Sequence, residues 1–279
     1  MSAMCLLTTD GDALIDACPA PGRVRERSFF AVVCLLFIVS TARTIVCGES
    51  MSAMGAMSMP GGWTMSMAWM RMPGQTWFAA AGSFLGMWLV MMMAMMLPSL
   101  APMLLRYRQA VGSKGRARLG RRTALVGLAY FLVWAACGLA VFPLGTALAT
   151  TEMQQPVLAR FVPLAVAVVV LIAGVLQFTA WKTHHLLHCR DARGGGLAAD
   201  GGAALRHGLQ LGIHCCYCCA NLTAILLVTG VMDLRAMGMV TAAITIERLA
   251  PAGKRAAQAI GAVVVGAGLF LLARTVALG

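Results

Sequence analysis

The sequence predicts an all-α protein, a polytopic transmembrane helix bundle of six or seven spans, and three observations predict it. Charged residues make up 11% of the 279 residues and hydrophobic ones 60%, whereas soluble chains are roughly a quarter charged and about half apolar. Runs of about 20 apolar residues, enough to cross about 30 Å of hydrocarbon, recur along the chain. The basic residues gather between these runs instead of scattering through them. Backbone groups in lipid have to be satisfied within their own segment, so each run is expected to be a helix.

The elements follow in order. Residues 1–28 carry Asp10, Asp12 and Asp16, then Arg23, Arg25 and Arg27; they read as a disordered cytoplasmic tail with no signal peptide. A single transmembrane domain fills 29–279, and its first span covers 29–46. An external segment, 47–76, is rich in Met, Gly and Ser. The second span, 77–105, holds Pro98 and Pro102, which are expected to kink or end it. Arg106, Arg108, Lys114, Arg116, Arg118, Arg121 and Arg122 make 106–122 a basic loop, cytoplasmic under the positive-inside rule.

The third and fourth spans, 123–149 and 162–181, are joined by a short external turn. Residues 182–207 form a cytoplasmic loop rich in His and basic residues, and the fifth span is 208–230. The stretch 236–249 decides between six spans and seven. Thr245, Glu247 and Arg248 suit an inner surface, which favours seven, with Glu247 paired to Arg248 or Lys254. The last span is 258–276. The expected location is a bacterial cytoplasmic (inner) membrane with the N-terminus inside. The formal net charge of +12 then points to anionic lipid as a partner and not to nucleic acid.

Four of the ten cysteines lie in one short run, His214-Cys215-Cys216-Tyr217-Cys218-Cys219. On a helix, positions three or four apart share a face, so several soft ligands come together within a turn or two. Packing explains an isolated Cys34 or Cys137; it explains this run poorly, and metal or redox use is the better reading. Such spacing is unlike a secreted disulfide framework.

Methionine is the second signal, with 21 residues, most of them in two groups. The external group reads Met51, Met54, Met57, Met59, then Met65, Met67, Met70 and Met72, in a segment expected to be flexible, with nothing for them to pack against. Thioethers select the cuprous ion and suit zinc or magnesium badly; silver is equally acceptable to them. The second group lies in the second span, where Met87, Met91 and Met95 are spaced as a stripe; packing and ligation are both open for it. Two further sets join the candidates. His184, His185, His188 and Cys189 close the fourth span, with His184 and His188 spaced to clamp one ion. Met232 and Asp233 end the fifth span, and acids near the membrane interior are functional candidates. No GxSxG, Walker-type loop or HExxH occurs, so hydrolase and ATPase readings have no support and no catalytic residue is expected.

On these residues the chain resembles a bacterial family of predicted metal-binding integral membrane proteins. The resemblance rests on Met92-Met93-Ala94-Met95-Met96-Leu97-Pro98-Ser99, on Gln177 through Lys182 to Cys189-Arg190, and on Gly212 to Cys219 followed by Gly230 to Leu234 and Glu247. It covers most of 77–255. Where the family often has cysteine, this chain has His185. The resemblance implies a metal site of unspecified substrate.

The expected function is soft-metal handling, cuprous copper first and silver or zinc as alternatives, by transport or delivery. A copper-donating or copper-accepting protein is the expected partner. Two other classes remain: a metal-binding assembly factor or sensor without transport, and a vicinal-dithiol membrane redox protein.

Overall fold

In a computed structural model, the structure describes residues 21–53, 57–59, 63–65, 67–71, 74–112, 119–190 and 200–278; the side chains of residues 21–25, 52, 57, 58, 67, 112, 188–190 and 278 are outside that description. Eight α-helices lie among these residues: α1 (Pro21–Ala53), α2 (Trp77–Gly112), α3 (Leu119–Gln154), α4 (Pro156–Leu176), α5 (Ala180–Arg190), α6 (Gly201–Thr229), α7 (Leu234–Leu249) and α8 (Gly253–Leu278). Six of them are long and apolar enough to cross a membrane, namely α1, α2, α3, α4, α6 and α8. Large apolar side chains such as Val32, Ile38, Phe78 and Val263 stand exposed on these helices, as lipid-facing surface requires and water-facing surface does not.

Several boundaries differ from the sequence-based ones. The expected tail, 1–28, is helical from Pro21, and 1–20 lie outside the described residues. Of the basic loop 106–122, both ends belong to α2 and α3. Of the loop 182–207, the first part is α5 and the last part is the start of α6. Pro98 and Pro102 do not end α2, which runs on to Gly112; prolines are tolerated in bundled spans because neighbours re-satisfy the freed carbonyls.

The external segment is also more ordered than its composition suggests. Strands β1 (Met57–Met59) and β2 (Trp63–Met65) pair antiparallel, with Met57 opposite Met65 and Met59 opposite Trp63. Met59 and Met65 pack with Ala149 and Ala159 at the ends of α3 and α4. The Trp63 indole donates to the Ala159 carbonyl at 2.9 Å. These methionines do have something to pack against, because the hairpin folds back over the bundle.

Close approach at glycine sets the helix directions. A Cβ at Gly208 of α6 would meet the Val126 carbonyl oxygen and lie 2.7 Å from Ala129 Cβ, and one at Gly212 would lie 3.0 Å from the Tyr130 carbonyl. Increasing numbers match increasing numbers, so α3 and α6 are parallel and in backbone contact, as small residues allow. Gly174 meets Val265 and Gly268 meets Leu171, so α4 and α8 are antiparallel. Helix α4 also runs against α6, since Asn221 Nδ2 donates to the Ala173 carbonyl while Lys182, further along the chain, reaches back to the carbonyl of Cys218.

Helices α6 and α8 therefore run the same way, and α7 returns the chain between them. It has 16 residues, about 24 Å at 1.5 Å per residue, short of the roughly 30 Å hydrocarbon thickness. The expected six or seven spans stand: six helices qualify by length and composition among the described residues, and the shorter α7 makes its return packed against α2, α6 and α8.

Candidate metal centre

The cysteine run of α6 divides between two faces. With 3.6 residues per turn, Cys215, Cys218 and Cys219 point into the bundle and are buried, while Cys216 turns towards α3 and is half-buried. Cys216 Sγ lies 3.4 Å from Cys137 Sγ. Among the described residues, no three His, Cys, Asp or Glu side chains are grouped as metal ligands would be. The four cysteines and His214 thus do not form one closed cage.

Sulfur from α6 converges instead with sulfur from α2. Cys215 Sγ stands 3.9 Å from Met96 Sδ and 3.8 Å from Cys219 Sγ. Here the Cys215 thiol donates to Met96 Sδ; two sulfurs bound to one ion at about 2.3 Å would lie about 3.8–4.0 Å apart, so the same spacing can accommodate ligands sharing a metal. Met91, Met92 and Met95, on the same helix as Met96, are fully buried in the same core.

Two polar side chains address Cys215. The Tyr130 hydroxyl donates to its sulfur at 2.9 Å. Arg248 Nη1 donates to it at 3.2 Å and to Ser99 Oγ at 2.9 Å, while Nη2 lies 3.1 Å from Met103 Sδ. Cys215 thus accepts from a hydroxyl and from a cation, an arrangement that suits a thiolate, the metal-binding form. Arg248 is buried, and a guanidinium held against sulfur occupies the neighbourhood a metal cation would take.

A second polar layer lies beside this one. Helices α4 and α5 are one rod broken at residues 177–179. Lys182, on the first turn after the break, forms an ion pair with Glu247 of α7 at 2.8 Å, each side chain 1% exposed. Gln177 Nε2 donates to Glu247 Oε1 at 2.6 Å, and Lys182 Nζ donates to the Cys218 carbonyl at 2.6 Å and to Asn221 Oδ1 at 3.4 Å. A buried ion pair survives only when hydrogen bonds satisfy its remaining atoms, and these contacts do so. Glu247 pairs with Lys182, not with Arg248 or Lys254 as the sequence suggested, because neighbouring residues on a helix face different ways and Arg248 turns to α2 and α6.

The other expected ligands are spread more widely. His184 and His185 have ring centroids 5.4 Å apart, and His185 and His214 6.1 Å, in an aromatic group with Trp181 and Tyr217. The side chains of His188, Cys189 and Met67, and all of Met72, lie outside the described residues. Asp233 is the N-cap of α7, accepting from the backbone of Arg235 at 2.8 Å and Ala236 at 3.1 Å, while Met232 is buried in the core. Met65 is buried under the hairpin, and Met70 lines a cavity near the start of α2.

Sequence reasoning missed Tyr130 and Arg248 as partners of Cys215, and Ser99 and Met103 as partners of Arg248. The available signal was the presence of strongly polar residues within long apolar surroundings, where charges carry a penalty and so demand a reason.

The model of the PpoB2 family, described as a copper chaperone, matches residues 85–271. No curated protein and no solved structure matches the chain.

Proposed function

Since the chain belongs to the PpoB2 copper chaperone family, we propose that it holds a cuprous ion inside the bundle at Met96, Cys215 and Cys219 and delivers it to a copper-accepting protein. The observation that carries this is the approach of Cys215 Sγ to Met96 Sδ at 3.9 Å and to Cys219 Sγ at 3.8 Å. Thiolate and thioether together favour Cu(I) over zinc or the hard divalent ions, and silver would bind as a mimic.

Arg248 and Tyr130 are positioning residues in this scheme. They keep Cys215 as an acceptor until the ion arrives, and the ion displaces the guanidinium from the sulfur. The basic ends of α2 and α3, with Arg106, Arg108, Arg121 and Arg122, support a cytoplasmic placement of that end and a multi-pass location in a bacterial inner membrane. With no phosphate-binding loop in the sequence, the ion moves by exchange between ligands and a partner, not by nucleotide hydrolysis.

Purified protein kept reduced tests the reading by Cu(I) titration against a chromophoric chelator. The wild type should hold one tight ion that the Cys215→Ser/Cys219→Ser variant loses. Equal tight binding by both would end the proposal. A second reading, a membrane thiol–disulfide protein, is favoured by the 3.4 Å approach of Cys137 and Cys216. It requires the free-thiol count to change between oxidised and reduced cells with copper withheld.

A further inference from the structure

The outer end of α2 carries a cavity that the sulfur cluster does not use. It has a volume of about 280 Å³ and is lined by Met51 of α1, by Met70 and Arg71 ahead of α2, and by Trp77, Phe84 and Met87 of α2 itself. We propose that this cavity is a second, weaker cuprous site that loads the protein, with the thioethers of Met51, Met70 and Met87 as its ligands. The proposal rests on reading Met96, Cys215 and Cys219 as the holding site.

Three features carry it. The three methionines come from separate parts of the chain, are each half-buried and line the cavity, with Met51 and Met87 also packed against the bundle core. Met59 and Met65, in the same external segment, are by contrast packed away under the hairpin. The fold thus seals Met59 and Met65 and leaves Met51, Met70 and Met87 partly open at the cavity.

The second feature is the chemistry of the lining. Among the described residues it includes no carboxylate, thiol or imidazole; their side-chain oxygens are the neutral ones of Gln75, Ser83 and Thr146. Hard divalent ions find no anionic ligand there, while neutral thioethers suit a soft monovalent ion. The Arg71 guanidinium, 5.0 Å over the Trp77 ring, adds positive charge at the rim. An ion held by neutral ligands beside a cation is held weakly and released quickly, as loading requires and storage does not.

The third feature is where the cavity leads. Met87, Met91 and Met95 recur every four residues and so share one face of α2, each step about 6 Å along the axis. Met96 lies nine residues beyond Met87, about 13.5 Å deeper. That face descends from the cavity as far as Met95, while Met96 is turned about 180° from Met87 at about 100° per residue and faces Cys215, so the adjacent pair Met95 and Met96 is where an ion would pass round α2 to the cluster.

The test uses the full chain in detergent under reducing conditions, labelled with methyl-13C methionine and titrated with Ag(I), with Cu(I) titrations in parallel. The methyl signals of Met51, Met70 and Met87, assigned by single Met→Leu changes, should move together in a weaker phase that follows the tight one. The Met51→Leu/Met70→Leu/Met87→Leu variant should keep the tight site and lose the weak one. Each single change should weaken that phase at least about tenfold, the lower bound expected for a ligand when second-shell changes alone cost about 10–100-fold. The Cys215→Ser/Cys219→Ser variant should do the reverse, losing the tight phase and keeping the weak. Independent shifts of the three methyls, or a weak phase that persists in the triple variant, overturns the loading site. Persistence of the tight phase in the cysteine variant overturns the holding site instead, so the two failures are distinguishable.

Discussion

Arg248 points its guanidinium at Cys215, 3.2 Å from the sulfur, although Glu247 stands next to it in the sequence. Helical geometry separates the two neighbours: Glu247 turns to Lys182 on α5, and Arg248 turns to α2 and α6. One turn of α7 thus serves two polar networks.

Replacing Arg248 with Leu should destabilise the metal-free protein by about 3 kcal/mol, the scale for stranding the partner of a buried charge. Arg248→Lys should recover part of the loss, since one ammonium cannot reach Ser99, Cys215 and Met103 in the fork geometry of a guanidinium. Thermal unfolding in detergent with copper withheld reads this directly. An unchanged midpoint for Arg248→Leu would show that the guanidinium contacts add no stability.

The Lys182–Glu247 pair predicts a non-additive double mutant. Lys182→Met or Glu247→Gln alone leaves one charge buried without its partner and should remove about 3–5 kcal/mol. Lys182→Met with Glu247→Leu removes both charges and should be less damaging than either single change. A double mutant as unstable as the sum of the singles would contradict the direct pairing.

Asp233 separates capping from metal binding. As the N-cap of α7, its replacement by Ala should lower stability by about 1 kcal/mol and leave the copper-to-protein ratio unchanged. Elemental analysis alongside a melting curve checks both halves. A lost copper equivalent would return Asp233 to the ligand set.

Gly208 governs the α3–α6 approach. A Cβ there meets the backbone of Val126, which has no side-chain freedom to yield, so Gly208→Val should cost about 1–3 kcal/mol as overpacking. It should also pry Cys216 away from Cys137, lowering the yield of oxidative cross-linking between them relative to the parent chain. Undiminished cross-linking would mean the helices meet elsewhere.

Much of the bundle was legible in the sequence because span length and apolar content are local properties. The run from His214 to Cys219 was recognisable as chemistry for the same reason: four cysteines in five positions exceed what packing needs. Which sulfurs meet was not legible. That depends on the rotation of α6 relative to α2 and α3, which places Cys215 opposite Met96 and Cys216 opposite Cys137. Arg248 read as an interfacial residue because nothing local shows that its face of α7 packs against α2 and α6. The methionines at 57–65 read as a flexible segment because strand pairing over Ala149 and Ala159 is a tertiary event.

The brevity of α7 has a consequence for the lipid around it. A slab of hydrocarbon about 30 Å thick does not match a 24 Å rod, and such mismatch is relieved by local thinning or by headgroups dipping inward. Either response brings water closer to the end of α7 that bears Glu247 and Arg248. In the proposed scheme the dimple would give protons released by copper binding at Cys215 a short way out on that side.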